Sequence, residues 1–166
     1  MGADRADRIK KGTLQALLMM LVIAGISIAT GLLLSIDGTY LKIFLSADKI
    51  TEETVRFGNH YLYIDLSLYV FLGFIFVMRN CVQGIGRPQF ILGAGAAELV
   101  ARVAVCLVLP AALAGGAVSA AAPISAYHAL CFADPSAWIA ADLVLAVPLF
   151  KNIMKMDYAY FYRTRR

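Results

Sequence analysis

Charge is scarce in this sequence. Lys, Arg, Asp and Glu make up 16% of its 166 residues, against about 25% in soluble domains. Hydrophobic residues reach 61% and the mean hydropathy is +0.75. The shortage of charge therefore excludes an ordinary soluble domain and indicates a membrane protein. Cysteine is also rare. Cys81, Cys106 and Cys131 lie far apart, in or next to apolar segments, with no CxxC and no ligand spacing. No redox or metal role is expected of them; they read as small residues of membrane helices. Histidine occurs twice, as His60 and His128, and both are expected at the membrane interface rather than on a metal. No nucleophile–base arrangement, phosphate loop or paired general acid and base stands out. Neither enzymatic activity nor a bound cofactor is expected.

What the chain does have is apolar length. Four helical runs are predicted over about 12–36, 49–78, 88–113 and 127–150, called here helices A to D, with no internal repeat. The expected fold is all-α, a polytopic membrane protein with four transmembrane helices, one unit over residues 1–166. Helix A follows a basic segment, but its apolar run is about 25 residues, longer than the 7–15 of a signal-peptide core. It is expected to stay as a span. Asp37-Gly38 ends it, and residues 40–45 read as an interfacial segment with Lys42 free to snorkel. Asp48 is the expected N-cap of helix B, with Glu52 and Glu53 in the next turn. Tyr61, Tyr63 and Tyr69 suit an interfacial belt. Pro88 fits the first position of helix C, and Gly93, Ala94, Gly95, Ala96 and Ala97 give that helix a face that lets neighbours approach closely. Pro135 is expected to kink helix D, and the basic, aromatic tail 151–166 to lie on the bilayer surface.

Net charge is +4 and the sequence pI is about 9.1. The basic residues cluster at helix ends, so they indicate topology rather than nucleic acid. Eleven lie before A, between B and C, or after D; three (Lys42, Lys49 and Arg56) lie on the other side, and the C–D loop has none. Both termini and the B–C loop are therefore expected in the cytoplasm of a bacterial-type cell membrane.

The stretch 71–102 is the organising one. A polar exit is expected at Arg79-Asn80, then a turn at Gln83-Gly84-Ile85-Gly86-Arg87-Pro88, then helix C. Counted from Pro88, Glu98 lies about 15 Å along the axis, near the middle of a hydrocarbon core of about 30 Å. Arg102 follows at i+4 on the same face, so the two are expected to pair, structurally or as a coupling pair that opens in transport. Asp142 lies well inside helix D and either pairs with Arg102 or titrates. Asp65 lies a turn inside the outer boundary of B, as a snorkelling carboxylate or a cation or proton site. Asp134-Pro135 reads as a cap or kink feature.

Several stretches resemble one family. They are Tyr61-Leu62-Tyr63-Ile64, Leu72-Gly73-Phe74-Ile75-Phe76, Arg79-Asn80-Cys81-Val82-Gln83-Gly84-Ile85-Gly86, Glu98-Leu99-Val100-Ala101-Arg102 and Pro135-Ser136-Ala137-Trp138-Ile139. In that order and spacing, with the basic opening residues, the chain resembles the C-terminal third of the multidrug and toxic compound extrusion (MATE) family. The resemblance implies four helices of a twelve-helix, two-lobe transporter. Such a transporter expels amphipathic organic cations in exchange for sodium ions or protons. It also implies a truncated or split product, whose partners are the missing N-terminal lobe or another copy, within the lipid bilayer. Sodium-dependent members look to have an acid deep in the helix matching B; residues 66–78 here have none. Two alternatives are a lipid-linked precursor flippase of the same superfamily and a small, non-transporting membrane subunit.

Overall fold

The computed structural model describes residues 6–115 and 124–154. Every regular element in them is helical. In chain order they are α1 (Ala6–Ser35), α2 (Leu41–Phe44), α3 (Glu52–Ser67), α4 (Tyr69–Gly84), α5 (Gln89–Ala114), α6 (Ile124–Cys131) and α7 (Ala133–Pro148). A π-helical turn, Leu149–Met154, follows α7. Three stretches are long and apolar enough to cross a membrane: Asp7–Gly38, Gln89–Ala114 and Ile124–Lys151. α3 and α4 together make another, bent by 49°. The expected N-terminal leader, the C–D loop at 116–123 and the tail from 155 lie outside the described residues.

The element ends follow local chemistry. α1 stops where Asp37 and Gly38 both take positive φ (53° and 62°), which short polar residues and glycine tolerate best. α3 is capped by Thr51, whose side chain accepts from Thr54 N at 3.2 Å. This corrects the expectation of Asp48, which lies in a separate 3₁₀ turn, Ala47–Lys49. The polar exit expected at Arg79-Asn80 is also corrected. Asn80 Nδ2 donates to Phe76 O within the helix at 2.7 Å, and α4 runs on through Gln83 to Gly84. The chain turns at Gly86, with φ +75°, and Pro88 caps α5.

One span is bent, and another is interrupted at a single residue. Helix B divides at Leu68, between α3 and α4. Ser67 Oγ donates to Ile64 O at 2.7 Å, and such back-bonding competes with the backbone ladder and bends helices. Helix D divides at Phe132, three residues before the expected kink at Pro135. Pro135 sits in the first turn of α7, where a missing N–H is tolerated.

The packed centre lies where α4, α5 and α7 meet. Val82, Ala94, Ala141 and Leu145 are fully buried there, with Ile75, Met78 and Trp138 beside them. Of the small residues on α5, only Ala94 is buried, and the fully buried Ala137 and Ala141 lie on α7. Small side chains let the helices approach closely, and the α5–α7 seam is the most extensive in the fold. α1 packs on α3 and α4. A Cβ on Gly31 would come within 2.8 Å of Leu66 Cδ1, so the glycine lets that leucine side chain seat against α1 without shifting.

Candidate functional site: two carboxylate clusters within the spans

α5 carries Glu98 and Arg102 one turn apart, and each reaches a different helix. Glu98 pairs with Arg79 of α4. Arg102 Nε donates to Asp134 Oδ1 of α7 at 2.9 Å. The expected Glu98–Arg102 pair is therefore corrected. Arg79 and Asp134, each about a third exposed, take the partners on α5 that helix packing brings within reach. The alternative Arg102–Asp142 pair is also corrected, because Asp134 takes the guanidinium.

The first cluster joins three helices through Asp134. Tyr61 OH of α3 donates to its Oδ2 at 3.0 Å, while Arg102 holds its Oδ1. Asp65 follows Tyr61 by one turn on α3 and lies within electrostatic reach of Asp134. Its Oδ1 is buried without a partner. The tyrosines expected at an interfacial belt thus tie helices together, and Tyr63 OH likewise lies 3.2 Å from Ser35 Oγ on α1. Asp134, expected as a cap or kink feature, is the hub of this cluster. The signal available in the sequence was a second acid in the same apolar run as Asp142.

The second cluster holds the Arg79–Glu98 pair and Asp142. Asp142 is 9% exposed, both of its carboxylate oxygens are buried, and neither has a hydrogen-bond partner. Glu98 lies within electrostatic reach of it. Asp142 lines a groove of about 290 Å³ between α1, α4 and α7. The other walls are apolar and aromatic, including Phe71, Phe74, Met78, Ile139 and Phe150. The aromatic faces suit a cation with an apolar body, while both carboxylate oxygens of Asp142 are buried behind them and present no surface to the groove. A second groove, between α1 and α4, has Tyr69, Phe76 and Met20 in its walls and no acid.

Of the residues singled out in the sequence, Asp142 is therefore brought to a groove and Asp65 to an acid pair. Glu98 and Arg102 serve as anchors between helices. Gln83, Gly84, Gly86 and Pro88 shape the α4–α5 connection. Among the described residues, no three His, Cys, Asp or Glu side chains gather as metal ligands. Compared with protein families, with curated proteins and with solved structures, the chain matches none.

Proposed function

We propose that this chain is part of a secondary-active multidrug efflux antiporter of the MATE kind, exchanging amphipathic organic cations for protons or sodium ions. The observation that carries the reading is Asp142: a buried, unpartnered carboxylate packed behind the aromatic wall of a groove, within a stretch long and apolar enough to cross a membrane. A bare negative charge at that place is expensive. In this reading the carboxyl holds a proton as packed here, and the charged head of a ligand reaches it only when the helices part at the groove. Exchange of one for the other at a single acid is the elementary step of an antiporter. The nearby Glu98 charge adds to the cost of leaving the acid bare. Asp65, beside Asp134, is a second place for a proton or small cation.

In this reading the four spans are four of twelve helices in two lobes. The other lobe, or another copy of the chain, completes a midplane cavity, as alternating access requires two bodies around one site. The termini face the cytoplasm, on the distribution of basic residues.

The test is binding of tetraphenylphosphonium, an apolar monocation, to the purified full chain in weakly buffered detergent. The expected result is saturable binding with release of protons. Asp142→Asn should weaken binding by about tenfold or more, the equivalent of about 1.4 kcal/mol. Binding that is unchanged in Asp142→Asn removes the site, and cells that retain cationic dye whatever lobe is co-expressed remove the transport reading.

A further inference from the structure

The start of α1, the α4–α5 turn and the π-helical turn after α7 converge at one end of the molecule. Ile9, Ile85 and Met154 pack there against the core cluster that holds Leu149 and Ile153. That packing draws together basic residues from three segments: Arg8, Lys10 and Lys11 on α1, Arg87 in the turn, and Lys151 after α7. Asp7 is the one acid among the described residues at this end. Glu98 lies deeper, on α5, and is bound to Arg79. Among the described residues, neither Lys10 nor Lys151 has an acid partner.

The groove of about 290 Å³ between α1, α4 and α7 runs down to Leu149 and Phe150, next to Lys151. Its wall on α1 is Leu17. Lys10 stands two turns earlier, at i and i+7, on the same face of that helix. From Ile139 to Phe150 the α7 side of the groove rises about 16 Å, at about 1.5 Å per residue. That is roughly half of a hydrocarbon core of about 30 Å, the depth of one leaflet. Both oxygens of Asp142 are buried behind the wall, so the groove offers an apolar lining. Leu143 and Phe150 in that wall are exposed, which leaves the groove open sideways.

We propose that this groove and its basic end form a site for an anionic phospholipid, with one acyl chain along Leu143 and Phe150 and the phosphate between Lys10 and Lys151. A hydrocarbon chain loses its exposed surface there without covering a polar atom. Lysine stems lie along apolar walls while their ammonium groups reach the headgroup level. Basic residues beside a span attract negative headgroups, and each lysine adds to the attraction. A zwitterionic headgroup carries its own cation and gains less. The site stands apart from the transport reading, because nothing in it uses Asp142.

Trp138, the only tryptophan, precedes Ile139 at the far end of the groove and serves as the reporter. The full chain is reconstituted in vesicles of phosphatidylcholine with a minor share of phosphatidylglycerol. Bromine is carried on the chains of one lipid or the other, at equal mole fraction of brominated lipid. Quenching of Trp138 is expected to report about tenfold tighter association of the phosphatidylglycerol, from two lysines near the headgroup. Lys10→Gln with Lys151→Gln should bring the two lipids within about twofold of each other. Ala146→Phe fills the groove and keeps both lysines, and it should abolish the excess quenching. Equal quenching by the two lipids in the parent chain overturns the site. So does an excess that survives the loss of both lysines. An excess that survives Ala146→Phe overturns it as well, because a charged collar would then act without a bound chain.

Discussion

Arg102 and Asp134 meet across the α5–α7 seam, Nε to Oδ1 at 2.9 Å, while Glu98, one turn earlier on Arg102's own helix, is bound to Arg79. Two acids and two bases that a linear reading groups by spacing are thus divided between two helix contacts. α5 is fastened to α4 by its acid and to α7 by its base.

That division predicts which residues are energetically coupled. The Arg102 and Asp134 side chains are 41% and 34% exposed. Breaking the pair should therefore cost less than breaking a dry one, about 1–3 kcal/mol. A double-mutant cycle of Arg102→Gln and Asp134→Asn, read by unfolding in detergent, should recover part of the loss. The cycle of Glu98→Gln with Arg102→Gln should show coupling below about 0.5 kcal/mol. A larger value for the second cycle would restore the pair along α5.

Tyr61→Phe removes one donor from Asp134 and leaves the ring in place. The expected loss is about 0.5–1.5 kcal/mol. In Asp134→Asn the same change should cost less, because the carboxylate that accepts the bond is gone. Equal costs in both backgrounds would mean that the hydroxyl works elsewhere.

Asp142→Leu should separate stability from ligand binding. An unpartnered buried polar group costs about 1–3 kcal/mol, so its removal should leave the chain as stable or stabilise it by about that much. The same change should abolish binding of a lipophilic cation in the groove. A clear fall in unfolding temperature would show that Asp142 has a structural partner.

The α5–α7 seam predicts a contrast between alanines. Ala141 is fully buried on α7, and Ala96 is exposed on α5. Ala141→Leu should cost about 1–3 kcal/mol by overpacking, and Ala96→Leu within about 0.5 kcal/mol. The measurement is the fraction of monodisperse protein after detergent extraction and heating.

Orientation is a prediction from loop charge. A cysteine at Ser119, in a chain lacking its native cysteines, should react with an impermeant maleimide added outside intact cells. Reaction only after access to the cytoplasm is provided would reverse the assignment of eleven basic residues to the inner side.

The sequence by itself determined the class and the spans. Low charge and long apolar runs leave a chain little choice but to form helices in a bilayer, where each segment must satisfy its own backbone. Asp37-Gly38 marks a helix end by conformational preference alone, and that end is observed. It also placed Glu98 and Arg102 inside α5 and Asp142 inside α7, because their positions along the helices follow from rise per residue. The tertiary structure decided which charge meets which. Spacing places Arg102 within reach of Glu98, but reach is not choice. The choice went to partners on other helices, Arg79 and Asp134, which the packing of α4 and α7 on α5 brings within reach. The break at Leu68 was illegible for a similar reason: no proline or glycine marks it, and it shows as Ser67 bonding to Ile64 O and α3 leaning 49° from α4. The stack of His60 on His128 joins residues 68 positions apart, brought together only when α3 and α6 pack.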